Sequence, residues 1–337
     1  MKNDTQLSPR LEKILYLLVN GPSSRLKIQT VLGLPRLTLI RDLNKLILLG
    51  KVETTGSGRS VQYLLTDFNP LLATAQFRNL TSEIPFKPHV LDHLHHLLTP
   101  LELQNTSLRS FSQAKNTLGE FLTQKEIEHW TIDFAWKSSA IEGNTYTLPE
   151  TATLITAGRS AKNKTTGEAQ MILNHKTAVD YIFTHPPRSH HLTLKYILSL
   201  HSLLTYNLPI PPGLRRHAVG ISGSVYLPTS NPQTISLALD KTILAINTSP
   251  HPIEKALIAI VMLSYIQPFA DGNKRTARLI SNALLLSYDI IPISYLTAQL
   301  ETYRDTLLLF YEQNSLLAFK NLLLAQLHFS HSHYFRT

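Results

Sequence analysis

The sequence predicts a mainly α-helical protein in two parts: a small N-terminal domain of three helices and a β-hairpin, then a larger helical bundle carrying one further hairpin. Three observations predict it. Residues 251–289 read as helix, tight polar loop, helix, and the first of these is apolar on nearly every face from Ile253 to Ile266, the mark of a buried central helix. Helical spacing of apolar residues recurs at 118–141, 165–183 and 192–204. In residues 1–70, three short helical patterns are punctuated by Gly21-Pro22 and Gly33, and two strand-like runs follow them.

A length of 337 residues allows two domains and a sizeable core. With 43% hydrophobic and 8% aromatic residues, the composition is that of a globular chain, not a disordered one. The absence of cysteine excludes disulfides and thiolate zinc sites and suits a reducing compartment. The opening MKNDTQLSPR has no apolar h-region, and no apolar run is long enough to span a bilayer. A cytoplasmic protein with no membrane partner is the expectation, export by an unreadable signal being left open. The net charge of +9 directs attention to nucleic acid, and residues 1–70 hold ten Lys/Arg against five Asp/Glu, or +5 of that total.

In chain order, Pro9–Val19 has helical spacing, and Ser23 or Ser24 is placed to cap a short helix that Gly33 ends. Pro35–Leu49 reads as a third helix with Leu39, Ile40, Leu43, Leu46 and Ile47 inward. Lys51–Thr55 and Ser60–Leu65 read as strands around Gly56-Ser57-Gly58. Three helices and a hairpin resemble a winged helix-turn-helix. The resemblance implies that residues 1–68 bind duplex DNA, with Arg36, Thr38, Arg41 and Lys45 on the reading helix and Arg59 on the wing tip. The other reading is a small domain that docks proteins or dimerises.

Residues 69–109 look like a linker with a short helix near Val90–Leu98. His93, His95 and His96 sit there; without further ligands they read as exposed polar positions, as do His328, His331 and His333 near the end. From 110 to 330 the bundle follows. Its 118–141 helix runs into Lys137-Ser138-Ser139-Ala140-Ile141-Glu142-Gly143, where Ser138 and Glu142 share a face and Gly143 is a terminator. Around Gly223-Ser224, Val219, Ile221, Val225 and Tyr226 suggest a tight hairpin. Glu301–Leu327 reads as an amphipathic closing helix region.

The chemistry concentrates in Gln267-Pro268-Phe269-Ala270-Asp271-Gly272-Asn273-Lys274-Arg275-Thr276-Ala277-Arg278. A Gly-Asn turn entering a helix offers free backbone N–H groups and the positive end of the dipole. Arg275 and Arg278 share one face, and Asp271 could hold Mg²⁺ through one carboxylate. A polyphosphate is one reading; a helix start with surface arginines is the other.

This run resembles the Fic (Fido) family motif, His-x-Phe-x-Asp/Glu-Gly-Asn-Gly-Arg-x-x-Arg, with Gln267 in place of the His and Lys274 in place of the second Gly. Ser138-xxx-Glu142-Gly143 resembles the inhibitory helix of the subgroup that carries it upstream, here near 130–143. The resemblance implies a Fic-type bundle whose flap is the Gly223-Ser224-Tyr226 hairpin. It also implies a protein adenylyltransferase, moving AMP from ATP to a Ser, Thr or Tyr hydroxyl of a protein, itself included. On that basis Asp271 would bind Mg²⁺, while Gly272, Asn273 and Lys274 would hold phosphates with Arg275 and Arg278. Phe269 would anchor the loop, and Glu142 would pair with Arg278 to block a terminal phosphate.

Gln267 stands where the family has its base, and an amide takes no proton near neutrality. Weak or altered activity follows, with a catalytically impaired DNA-binding regulator as the alternative. Asn273-Lys274-Arg275 resembles the death-on-curing toxin branch, which transfers phosphate instead. A second copy of the chain is a further candidate partner.

Overall fold

The structure is a computed structural model that describes residues 7–19, 21–66, 68–75, 78, 82–106 and 108–336; the side chains of Arg59, Pro100, Leu101 and Asn105 lie outside the described set. The chain divides into two compact units, 1–77 with 315–317, and 78–314 with 318–337.

The first unit runs α1 (Pro9–Leu18), β1 (Ser23–Ser24), α2 (Arg25–Leu32), α3 (Arg36–Leu48), β2 (Val52–Thr55) and β3 (Gln62–Leu65). Pro9 opens α1, where a missing N–H costs nothing. Ser24 caps α2 by accepting the Lys27 N–H, and Gly33 ends it at φ 62°. β2 and β3 are antiparallel, Val52 facing Leu65, and β1 adds a third strand beyond β3 that periodicity did not reveal. Leu11, Ile14, Leu18, Ile28, Leu39, Leu43, Leu46 and Val52 form the core. Ile47, expected inward, is 37% exposed, because the inward stripe of α3 is set by Leu39, Leu43 and Leu46 and Ile47 falls beside it. Arg36, Arg41 and Lys45 are exposed on α3 and Thr38 is half-buried; the Arg59 side chain lies outside the described residues.

The second unit begins with β4 (Ile84–Pro85), a 3₁₀ turn at Pro88–His93 and α4 (Pro100–Asn105). The helix expected over Val90–Leu98 is therefore shorter and tighter. Pro88 opens it, it stops at His93, and Val90, Leu91, Leu94, Leu97 and Leu98 all bury. Then come α5 (Phe111–Ile141), α6 (Leu148–Ala157), α7 (Thr166–Thr184), α8 (Leu194–Thr205), β5 (Tyr226–Leu227), α9 (Pro232–Thr248), α10 (Pro252–Ile266), α11 (Asn273–Ser287), α12 (Leu300–Gln313) and α13 (Leu317–His333). α5 starts earlier than its periodicity suggested and is broken at Gly119, φ 77° and ψ 171°. The closing region is made of two helices, separated where Asn314 turns left-handed at φ 56°.

The expected hairpin around Gly223-Ser224 is absent among the described residues. Ser224 N–H does close a turn on Ile221 O (3.1 Å), but β5 pairs in parallel with β4, Ile84 facing Tyr226. The cause is what Tyr226 buries against. Its ring stacks on Tyr265 at 4.7 Å and its hydroxyl donates to Tyr265 O, while Ser224 Oγ donates to Glu312 and Arg78 to Gly223 O. Those bonds hold the segment onto the bundle instead of onto its own upstream arm. His331, expected exposed, is 5% exposed and accepts the Arg109 N–H at Nδ1 (2.9 Å).

α10 is the axis of the unit: every residue from Ile253 to Ile266 is buried, and it packs between α9 and α11. Its two charges are satisfied internally. Lys255 Nζ donates to Ile246 O (2.6 Å) at the C-terminal end of α9, and Glu254 Oε1 accepts the Leu97 N–H (3.2 Å). Among the described residues no helix is long and apolar enough to cross a membrane.

Because α10 is enclosed on all faces, Ile258→Ala should cost about 2–5 kcal/mol in urea unfolding. Leu237→Ala, at a 58% exposed position on α9, should stay within about 0.5 kcal/mol of the parent.

Candidate functional site

The site is built where α10 gives way to α11. Gln267 ends α10 in the left-handed region, φ 51° and ψ 60°, and turns the chain out of the helix. Its side chain folds back, Nε2 donating to Ser264 O at 2.7 Å. Arg215, 3% exposed, then binds the turn from outside α10. Its Nε donates to Gln267 O (2.5 Å), Nη1 to His217 O (2.6 Å) and Nη2 to Thr229 O (2.7 Å), while its own N–H reaches Pro268 O (3.0 Å). Phe269 is fully buried, its ring stacked on His201 of α8 at 3.7 Å, and His201 Nε2 donates to Asp271 O at 3.0 Å. Burial holds the His201 pKa below its ordinary value.

Asn273 closes the loop on itself. Its Oδ1 accepts the Phe269 N–H (2.8 Å) and its Nδ2 donates to Phe269 O (2.9 Å), so both ends of the side chain hold loop backbone. Gly272 stands at φ 81°, and a Cβ there would lie 3.3 Å from Thr205 Cγ2 of α8. Left-handed backbone and the close approach of α8 both call for glycine.

Two arginines project from the first turns of α11 with opposite degrees of satisfaction. Arg275, 2% exposed, donates from Nη2 to Asp271 Oδ2 at 3.2 Å, yet its buried Nη1 has no partner among the described residues. Burial lowers its pKa, and Asp271 opposes that. The Asp271 carboxylate is 69% exposed and its Oδ1 takes the Gly272 N–H.

Arg278 is fully enclosed and fully engaged. Nε donates to Ser138 Oγ (2.9 Å), and Nη2 to Ser138 O (2.8 Å) and Glu142 Oε1 (2.8 Å). Tyr303 lies beneath it, ring centroid 5.5 Å away. Lys274 reaches the other oxygen, Glu142 Oε2, at 3.0 Å. Burial works to raise the Glu142 pKa, but the charges of Arg278 and Lys274 and their hydrogen bonds outweigh it and hold it at about 2.

Behind Ser138 stands His175, buried on α7. Its Nδ1 donates to Met171 O (2.8 Å), and its Nε2 accepts from Ser138 Oγ at 2.9 Å. Burial drops its pKa to about 3, so it is neutral and free to accept that proton. Ser138 can thus take the Arg278 N–H and pass its own hydrogen to His175.

The fold gathers Gln267, Asp271, Gly272, Asn273, Lys274, Arg275 and Arg278 with Ser138 and Glu142, and Gly143 ends α5 beside them at φ 91°. Gly223, Ser224 and Tyr226 are bonded to Arg78, Glu312 and Tyr265, not to this loop, among the described contacts. Arg36, Thr38, Arg41 and Lys45 belong to the other unit. Sequence reasoning missed Arg215, His201, His175 and Tyr303, each buried by long-range packing, and missed that Lys274 pairs with Glu142. Only Arg215 carried a signal, as one of two adjacent arginines in a Pro- and Gly-rich stretch.

Residues 191–285 match the Fic/DOC family, so the chain carries a Fic/DOC family domain. Over 202 residues, 58% of this chain, it is 29% identical to the protein adenylyltransferase Fic of Drosophila mojavensis and 33% identical to that of Drosophila ananassae. The match covers 39% of either relative, so the chain spans about two fifths of the length of the curated relatives it matches. Among solved structures it resembles a Fic family protein from Desulfovibrio desulfuricans G20, with TM-score 0.57, 21% identity, and 70% of this chain against 74% of that one. It also resembles Fic-1 from C. elegans, with TM-score 0.53, 21% identity, and 72% of this chain against 67% of that one. These likenesses carry the fold.

A depressed carboxylate pKa contributes stability that is complete above the ordinary value of 4.5 and is lost as pH falls toward about 2. Glu142→Gln should therefore lower unfolding free energy by roughly 3 kcal/mol at pH 7, the scale for stranding a buried partner charge. The gap between parent and variant should close only below pH 4.5, and urea titrations at pH 7, 5, 4 and 3 would measure it.

Proposed function

We propose that the second unit binds ATP at the α10–α11 loop and transfers its AMP part to a Ser, Thr or Tyr hydroxyl of a protein, itself included, under restraint by Glu142. One observation carries the reading: the Arg275 guanidinium is 2% exposed and keeps a buried Nη1 without a partner among the described residues. An unpaired buried donor on a cation costs free energy unless an anion meets it. It stands in the first turn of α11, whose opening N–H groups have no partner within the helix, and a phosphate is the natural anion there. Asp271 suits Mg²⁺: each carboxylate oxygen has one hydrogen bond and keeps a lone pair for a hard cation. Such an ion, when bound, supplies charge neutralisation across the phosphates.

In the transfer, the hydroxyl oxygen bonds to the α-phosphorus, the bond to the pyrophosphate oxygen breaks, and the hydroxyl proton passes to water. Gln267 Nε2 is committed to Ser264 O, which leaves the amide oxygen to orient the hydroxyl by accepting its hydrogen bond. It takes no proton, and the lack of a general base costs about 10²–10⁴ in rate. Positioning and charge stabilisation remain, and these dominate phosphoryl chemistry.

Glu142 restrains the site by occupying two cations at once. Arg278 and Lys274 would serve the outer phosphates, and while both hold Glu142 a terminal phosphate meets a carboxylate in their place. The resemblance of Lys274 to the phosphate-transferring branch makes γ-transfer the competing chemistry, which ATP labelled separately at α and γ distinguishes.

The first unit supports a second role. Arg36, Arg41 and Lys45 are exposed along α3, and a helix so charged beside a hairpin suits duplex DNA, with α3 in the major groove. A Gln267 protein that binds nucleotide without turnover would then be a DNA-binding regulator. Binding should fall with salt by about 0.9 log units per log unit for each phosphate neutralised, and Arg41→Ala should lower that slope by about one contact. Salt-independent binding would count against it.

The catalytic reading is tested at its departure from the family pattern. Position 267 is left-handed, a region histidine enters more readily than most residues, so Gln267→His should be accommodated. Combined with Glu142→Gly it should raise AMP self-modification at least ~10-fold, and the gain should fade at acidic pH as the imidazole protonates near ~6.5. Glu142→Gly alone should tighten ATP binding in calorimetry. Equal ATP affinity in parent and variant would sink the restraint, and fast transfer by the Gln267 protein would sink the base assignment.

A further inference from the structure

His129 and Asp133 lie one turn apart on one face of α5, and His333 is the last residue of α13. The fold brings these three together in a cluster that the nucleotide site does not use. One ligand atom from each lies within 4.8 Å of the other two, and His129 Nε2 is 3.4 Å from Asp133 Oδ2. Their surroundings are ordered for the purpose. The Asp133 side chain is 3% exposed and accepts the Tyr334 hydroxyl at 2.6 Å. His333 is held by stacking on Phe329 at 4.8 Å, with the Tyr334 ring edge-on at 4.8 Å. His129 is half exposed, which leaves a path from solvent.

We propose that His129, Asp133 and His333 form a binding site for a borderline divalent transition cation of the Zn²⁺ class, independent of the nucleotide reading. Two imidazoles and one carboxylate select such an ion over Ca²⁺ or Mg²⁺, which take oxygen sets. Zinc bonds of about 2.0–2.1 Å place tetrahedral ligand atoms about 3.4 Å apart, so rotation of the exposed His129 ring closes the distance. A divalent charge also answers the cost of enclosing the Asp133 carboxylate. The Tyr334 hydroxyl plays the outer part, orienting the carboxylate by its hydrogen bond. Three protein ligands leave a fourth position for water or an exogenous ligand. The bound ion would tie the end of α13 to α5, the helix that delivers Ser138 and Glu142.

The competing account is an imidazolium–carboxylate pair of His129 and Asp133 with no metal, and the two separate experimentally. The tag-free 337-residue chain is titrated with Zn²⁺ in the presence of a competing chelator, and with Co²⁺ followed by visible absorption. One tight equivalent per chain is expected, with a Co²⁺ spectrum of four-coordinate intensity. His129→Ala and His333→Ala should each weaken binding at least ~10-fold, and Tyr334→Phe by about 10–100-fold, the range for an outer partner. His328→Ala, an exposed position on the same helix, should bind as the parent does. Asp133→Asn risks misfolding, so the two His variants decide the matter. Absence of a tight equivalent in the parent, or equal affinity in His129→Ala, His333→Ala and parent, would overturn the site.

Discussion

A guanidinium that cannot lose its proton has been placed in this bundle with no exposure to water, and its neighbours must satisfy it. Arg278 is held by the Ser138 carbonyl and hydroxyl, Glu142 and Tyr303, and burial unsupported by such groups would cost several kcal/mol. The demand reaches further than these contacts. Ser138 can accept from Arg278 only if its own hydrogen has somewhere to go, and His175 supplies that acceptor because burial keeps the imidazole neutral. α5, α7, α11 and α12 are thereby joined around one cation by bonds with direction. Hydrophobic packing alone would not set their register so narrowly.

The second cation is treated in the opposite way. Arg275 is nearly as enclosed, yet it meets only Asp271, and Nη1 is left without a partner among the described residues. A fully satisfied and an under-satisfied guanidinium thus stand one turn apart at the start of α11. The loop between α10 and α11 is fixed by groups that touch no reactant: Arg215 on the Gln267 turn, Asn273 on Phe269, and His201 on Asp271 O. Holding Gln267 left-handed costs about 1–2 kcal/mol, and these bonds keep it so. Lys274 adds what a glycine there could not, a second cation on Glu142. The carboxylate is bound at both oxygens, and protonation near neutral pH does not release it.

Much of this architecture was legible because local physics dictated it. The run from Ile253 to Ile266 has no polar face, so α10 had to be central; Pro252, Gly33 and Ser24 mark helix ends by properties that hold in any context. The turn from α10 into α11 was legible too, since a Gly-Asn turn, a carboxylate and two arginines at helical spacing lie within one short segment. The pairing of Glu142 with Arg278, 136 residues apart, came from the family pattern and not from spacing.

What only the tertiary structure decided depends on long-range neighbours. Tyr226 was read as part of a local hairpin, but the aromatic surface of Tyr265 is worth more to it than a two-residue pairing with its own arm, and β4 arrives to take the strand edge. His331 was read as exposed because nothing in sequence announces Arg109, and Arg215 could not be told from its neighbour Arg216 until the Gln267 turn was placed over it. His333, set aside for want of ligands nearby in the chain, meets His129 and Asp133 about two hundred residues upstream. The sequence by itself determined which helix is central and that a charged loop joins it to the helix that follows. Which polar side chains meet inside the bundle was decided by packing, because a buried hydrogen bond or ion pair depends on angstrom-scale approach between elements that sequence spacing does not encode.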